Sequence, residues 1–201
     1  VIERNARLQH QMLEDLLDIS RLIHGKLLIR PRASDLWQLA LQAVRDSELS
    51  ARQRKMTVRL EPPPDMMLPI MADPRRIAQA IGDLLENALK FTDPGGVITV
   101  TGARQDAQAV LAIHDTGRGI PPEQLPQLFE PFKQIQRTEQ TGGLGLGLML
   151  VKGIISLHGG RVTADSPGLG QGSTFTIYIP LADADHADTS AASPSPTPTA
   201  E

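Results

Sequence analysis

The 201-residue sequence predicts an α+β fold, and three observations carry that prediction. Two N-terminal stretches place apolar residues at helical spacing, a third such stretch is introduced by Asp73-Pro74, and two pairs of short runs rich in Val, Ile and Thr are joined by polar turns. Helices set beside antiparallel strand pairs make an α+β chain.

The elements follow in order. Over residues 4–26 the apolar Leu8, Met12, Leu13, Leu16, Leu17, Ile19, Leu22 and Ile23 recur at helical spacing and cover a broad face, which calls for partner helices. Gly25 marks the stop and Pro31 blocks continuation. Ser34 or Asp35 caps a second helix that Leu36, Leu39, Ala40, Ala43 and Val44 carry to about residue 54. Residues 56–61 alternate as a half-buried strand until Pro62-Pro63-Pro64, and a short strand falls near 68–72. Asp73 then caps a helix with Pro74 at its first position, running through Ile77, Ala80, Ile81, Leu84, Leu85, Ala88 and Leu89 to about Phe91.

Pro94-Gly95-Gly96 turns the chain into runs 97–103 and 109–114, read as an antiparallel pair. A glycine-bearing loop over 115–120, a short helix near 122–129, a glycine cluster and a helix over 146–158 ended by Gly159-Gly160 come next. Runs 161–166 and 173–181 form the last strand pair. The tail over 182–201 is rich in Ala, Asp, Ser, Pro and Thr; it has too few large apolar groups to offset its ordering entropy and is expected to be disordered.

Composition removes several function classes. A net charge of -3 leaves no broad cationic footprint, so nucleic-acid binding is not expected. Without cysteine there is neither a disulfide framework nor a thiolate metal site, which suits a reducing compartment. No apolar run reaches the ~18–20 residues of a membrane-spanning helix, so no membrane contact is expected and a cytoplasmic setting is the expectation, with a parent protein that membrane anchoring is open to. The opening Val1-Ile2-Glu3-Arg4, already inside an amphipathic pattern, suggests that further sequence precedes it.

Three features carry chemistry. Asp83, Asn87 and Lys90 stand four and three residues apart, so one helix face presents a carboxylate, an amide and an ammonium suited to magnesium and a polyphosphate. Asp115-Thr116-Gly117-Arg118-Gly119-Ile120 follows a strand directly. Its glycines let the backbone approach a flat ligand and its aspartate can accept from an amino group. Gly142-Gly143-Leu144-Gly145-Leu146-Gly147-Leu148 leads into a helix whose first N–H groups suit phosphate oxygens. Taken alone, the first reads rather as a solvated helix face and the second as a plain turn, while the third is equally a hinge.

In order and spacing these features, with Phe129-Glu130-Pro131-Phe132, resemble the N, G1, F and G2 boxes of sensor histidine kinases. His158-Gly159-Gly160, Gly170-Gln171-Gly172-Ser173-Thr174-Phe175 and the helix segment Asp15 to Arg21 with Gly25-Lys26 also look like that family and its wider gyrase and heat-shock chaperone superfamily. The resemblance implies a two-layer α/β sandwich, a mixed or antiparallel sheet packed on helices with an ATP lid over 133–142, preceded by an N-terminal helix. It implies ATP and Mg2+ as cofactors. Asn87 is then the magnesium ligand, Lys90 a phosphate contact and Asp115 the reader of the adenine amino group. Gly117 and Gly119 shape the base pocket, and Gly143, Gly145 and Gly147, with Leu146 among them, cradle phosphates. Thr174 supports the aspartate or a water beside the adenine, and Lys133 at the start of the lid joins the ATP-binding set. Asp83 departs from the asparagine frequent in the family and stands as a general base or as a holder of magnesium through water. Leu144 replaces a residue that is commonly small or hydroxylated.

The resemblance also divides the chain. Residues 1–30 look like the second helix of a dimerisation and phosphotransfer hairpin, 34–181 like the catalytic domain, and 182–201 are tail. The family phosphorylates a histidine on the hairpin's first helix, yet none of His10, His24, His114, His158 and His186 has that context. The implied function is therefore to supply the γ-phosphoryl group of ATP to an acceptor-histidine helix outside this chain, for relay to the aspartate of a response-regulator receiver domain. The parent protein is expected to be a homodimer, and the chain alone is not expected to phosphorylate itself. The alternative is a nucleotide-binding regulatory module without phosphotransfer.

Overall fold

The computed structural model describes residues 2–131 and 145–182, with side chains from residue 13 onward. Four α-helices are described: α1 Ile2–Ile23, α2 Leu36–Gln53, α3 Pro74–Phe91 and α4 Gly147–Leu157. A 3-10 turn spans Pro122–Gln127 where a short helix is expected. The strands are β1 Arg32–Asp35, β2 Thr57–Glu61, β3 Pro69–Ala72, β4 Val97–Gln105, β5 Gln108–Asp115, β6 Arg161–Asp165 and β7 Ser173–Pro180. The predicted lid, Lys133 and Gly143 fall outside the described residues, as do the tail from 183 and the side chain of His10.

Helix boundaries follow from local chemistry. The Asp35 carboxylate accepts from the Trp37 N–H and caps α2, while Asp73 accepts from the Arg75 and Arg76 N–H groups and caps α3, with Pro74 following where no N–H is needed. Gly25, at φ +63°, takes the left-handed conformation that ends α1.

The main sheet runs β2-β4-β5-β7-β6, with β2 parallel to β4 and every other neighbour antiparallel. It is the mixed sheet expected, and its apolar face carries Ile98, Val100, Leu111, Ile113, Phe175, Ile177 and Ile179, all buried. Against that face lie the buried Leu36, Trp37, Ala40 and Val44 of α2, Ile77, Ile81, Leu84, Leu85 and Ala88 of α3, and Leu150, Val151, Ile154 and Ile155 of α4. Fully burying one such aliphatic side chain contributes roughly 1.5–3 kcal/mol, so this interface is the main source of stability. Gly102 makes room within it: a Cβ there would stand 2.8 Å from both the Trp37 ring and Pro63.

One strand was not expected. Arg32–Asp35 pairs antiparallel with β3 in a separate two-stranded sheet, which the isolated bridge between Ile70 and Leu181 ties to the end of β7. Its residues lack apolar alternation, and the pairing partner, not local propensity, makes them extended. α1 lies on α4, where Leu22 occupies the space that a Cβ on Gly153 would need, and Ile19 is buried. The Arg76 guanidinium of α3 grips both carboxylate oxygens of Asp18 and also donates to Gln79 Oε1 at 2.9 Å.

Candidate functional site

The site forms where the C-terminal end of α3, the end of β5 and the start of α4 converge. A cavity there is lined by Asn87, Phe91, Asp115, Arg118, Gly119, Ile120, Leu128, Leu148, Ser173 and Phe175. The lining has the character of small-molecule sites: mostly apolar, with a few convergent polar groups.

Asp115 is the most enclosed of those groups at 2% exposure. Strand period explains why it points inward: as the last residue of β5 it lies on the same face as Leu111 and Ile113. Its two oxygens are held separately. Oδ1 accepts from the Gly117 N–H at 2.8 Å and Oδ2 accepts from the Ser173 hydroxyl at 2.5 Å. A buried carboxylate needs such donors, since leaving it unpaired costs several kcal/mol. Lone pairs remain on both oxygens for a donor in the cavity.

Ser173, rather than Thr174, supports the aspartate. Ser173 pairs with Asp115 across the β5–β7 ladder, and Thr174 pairs with His114. The two-residue period therefore turns Thr174 to the opposite face of the sheet, where its hydroxyl meets His114 Nδ1 at 3.0 Å. Thr174 does not line the cavity; Ser173 does.

Backbone bonds lock the surrounding loops. The Gly172 N–H donates to the Gly117 carbonyl at 3.0 Å, and the Gly170 N–H to the Arg118 carbonyl at 2.7 Å. The buried Ser166 hydroxyl accepts from the Ile120 N–H at 2.9 Å and donates to the Gly172 carbonyl at 2.7 Å. Glycine is required at two of these positions. Gly119, at φ +67°, has no room for a Cβ against the Gly168 carbonyl, and Gly172, at φ +72°, has none against that of Asp115.

The expected trio on α3 separates. Of Asp83, Asn87 and Lys90, only Asn87 lines the cavity. Lys90 Nζ lies 5.1 Å from the centre of the Phe91 ring; burial lowers its proton affinity, Glu86 opposes that, and the nearby Arg118 and Arg54 add to it. Asp83 sits deeper, and its Oδ2 is buried with no hydrogen-bond partner. Burial first, then the charges of Asp15 on α1 and of Glu86, push its carboxyl up to about 8. Near neutral pH the protonated form predominates, so it stands there as a neutral group rather than as an anion beside a metal.

The described part of the glycine cluster is Gly145 onward. Gly145 adopts φ +70°, Leu146 is buried at 3% exposure, and Gly147 opens α4 with no side-chain cap on its first N–H groups. Those amides are the donors a phosphate would use. His158, at the other end of α4, is structural. Its Nε2 accepts from the Asp73 N–H at 2.9 Å, so its Nδ1–H donates to the Ile154 carbonyl at 2.8 Å, joining the end of α4 to the cap of α3.

Sequence reasoning missed Ser173, Phe91 and Arg118. The first needed the strand register, and the other two needed the contact in which the Arg118 guanidinium lies 4.2 Å over the Phe91 ring. Among the described residues no helix is long and apolar enough to cross a membrane.

Comparison with known proteins agrees with this geometry. The profile of the histidine kinase-, DNA gyrase B- and HSP90-like ATPase family matches residues 72–183. The circadian input-output histidine kinase CikA of Synechococcus elongatus is 37% identical over 173 residues, covering 85% of this chain and 23% of that protein. The chain thus spans less than half the length of such curated relatives. Acinetobacter baumannii histidine kinase AdeS superimposes with a TM-score of 0.72 at 25% identity over 90% of this chain and 82% of that one. Full-length ShkA, solved in complex with AMPPNP, gives 0.74 at 28% identity over 87% of this chain and 36% of that one.

Proposed function

We propose, from the premise that this chain belongs to the histidine kinase-, DNA gyrase B- and HSP90-like ATPase family, that it holds ATP with magnesium and supplies the γ-phosphoryl group to a histidine on a helix outside this sequence. It is the ATP-binding catalytic domain of a histidine kinase. The observation that carries the nucleotide assignment is Asp115, enclosed at the cavity floor with both oxygens oriented and lone pairs to spare for an adenine amino group. The AMPPNP bound to the related ShkA supports the same ligand class.

Asn87 suits the metal. Its side-chain oxygen is a hard ligand on the cavity wall, and no group of three or more His, Cys, Asp or Glu among the described residues offers a protein cage. Magnesium would then rest on Asn87, water and nucleotide phosphates, neutralising phosphate charge. The protein's own part is positioning: Asp115 and the Gly117–Gly119 loop orient the base, while Lys90 and the first amides of α4 meet the phosphates. Phosphoryl transfer rests on such positioning and charge neutralisation, which asks for no nucleophile in this domain.

Residues 1–30 fit the second helix of a dimerisation hairpin and 34–181 the catalytic domain. The receiving histidine belongs to the hairpin's other helix, because none of the chain's five histidines has an acceptor context. Relay to a response-regulator aspartate and homodimerisation of the parent protein complete the reading.

Calorimetry with ATP and magnesium should show one site, and Asp115→Asn should weaken it through the adenine contact. No heat and no thermal shift at millimolar nucleotide would refute the nucleotide site. With radiolabelled ATP the chain alone should gain no acid-labile label; label that vanishes in His10→Gln would place the acceptor within this sequence.

A further inference from the structure

Resting on the nucleotide reading above, we propose that Arg118 is a further positioning residue of the site, acting on the base end of the nucleotide by forming one cavity wall together with Phe91. The guanidinium lies 4.2 Å from the centre of the Phe91 ring, and both groups line the cavity that holds Asp115.

The backbone fixes this placement. The Arg118 N–H donates to the Phe91 carbonyl at 3.1 Å, and its own carbonyl accepts from the Gly170 N–H at 2.7 Å. Arg118 is thus pinned between the last residue of α3 and the loop preceding β7. The approach depends on Gly117, where a Cβ would collide with the Phe91 carbonyl. What results is a layered surface of two flat groups, each able to support a flat heterocycle. A guanidinium is planar, weakly hydrated and inclined to stack on aromatic faces, whereas an ammonium is a compact, strongly hydrated point charge. Burial already strips part of the hydration from Arg118 and lowers its proton affinity, with Asp93 opposing that shift.

Two observations direct Arg118 to the base rather than the phosphates. It stands three residues beyond Asp115 on the same locked loop, so it shares the end of the cavity where the carboxylate reads the ligand. Of the two cations over the Phe91 ring, its planar guanidinium is also the nearer, at 4.2 Å against 5.1 Å for Lys90 Nζ, and the compact ammonium of Lys90 is the one suited to a phosphate.

The test titrates the parent chain, Arg118→Gln and Arg118→Lys with adenosine and with Mg-ATP, each at low and high salt. In Arg118→Gln both ligands should bind roughly three- to thirtyfold more weakly, the range of a partly desolvated stacking contact. The two factors should match, should not depend on salt, and should not be recovered by lysine, which keeps the charge but loses the plane. Melting of the unliganded variants reports folding; should the glutamine variant fail to fold, Arg118→Lys carries the test alone, with weakened adenosine binding expected. Unchanged affinities, full rescue by lysine, or a salt-dependent loss confined to ATP would overturn the assignment, the last by making Arg118 a phosphate contact. Parent protein that binds ATP but no adenosine would overturn it too, since base contacts would then contribute little. Parent protein that binds neither ligand refutes the nucleotide site itself.

Discussion

Asp83→Asn should stabilise the unliganded chain, by an amount that grows with pH. In the folded chain the Asp83 carboxyl is pushed from 3.8 to about 8, by burial first and then by Asp15 and Glu86. An unfolded aspartate ionises near its ordinary value, so between roughly pH 4 and pH 8 the folded state holds a proton that the unfolded state has released. Stability therefore falls as pH rises through that window, and the penalty is absent below it. About four units at 1.36 kcal/mol each would be about 5–6 kcal/mol in a sealed site. Asp83 is only part-buried, and water at its margin screens the effect to about 2–3 kcal/mol. Asparagine keeps the shape and has no proton to lose. Urea unfolding of both proteins from pH 4 to pH 9 isolates this one group, because every other titration is common to the pair. The two should have equal stability near pH 4 and diverge to a plateau above pH 8, where the variant melts about 5–10 °C higher. Asp15→Asn, which removes the larger of the two charge contributions, should flatten part of the same slope. A gap that does not change with pH, or one that favours the parent more as pH rises, would refute the reasoning.

Two further outcomes follow from the contacts. Ser173→Ala removes the hydroxyl that donates to Asp115 Oδ2 and should cost about 1.5–3 kcal/mol in urea unfolding while weakening ATP binding as the carboxyl loses its fixed orientation; Ser173→Thr should retain most of both. Arg76→Gln leaves the buried Asp18 with only the more distant Arg21 guanidinium, 3.8 Å away, and should cost about 2 kcal/mol in urea unfolding. The same change should speed proteolysis in the 24–31 connection as α1 loosens from the core.

The fold was legible where local chemistry decides and opaque where partners decide. Asp73 with Pro74 announces α3, and Val, Ile and Thr runs announce the strand pairs, because caps, missing donors and β-branching act over a few residues. β1 was invisible because Arg32–Asp35 is extended only by pairing with β3. The site divided along the same line. Asp115, Asn87 and the glycines could be singled out in sequence, but choosing Ser173 over Thr174 required knowing which residue of β7 lies opposite Asp115. Asp83 read as one member of an exposed trio because helical spacing says which residues share a stripe and not what surrounds it; here burial and the nearby charge of Asp15 on α1 decide its chemistry.

Two carboxyl groups, Asp83 and Asp115, show how placement assigns different chemistry to the same side chain. Both are withdrawn from solvent, but the fold supplies donors to only one. Asp115 ends a strand, where the chain turns back so that the Gly117 N–H reaches one oxygen and the neighbouring strand brings the Ser173 hydroxyl to the other. Asp83 lies inside a helix, where every nearby backbone N–H is already committed to the helical ladder, and the closest charges, Asp15 and Glu86, have its own sign. A carboxyl without donors and among anions keeps its proton; one with a donor on each oxygen holds a fixed orientation and lone pairs for an incoming amino group. On the proposed reading, the strand end is the place on this fold for reading a ligand, and the helix interior would contribute through Asn87, whose neutral amide offers an oxygen without needing a counter-charge.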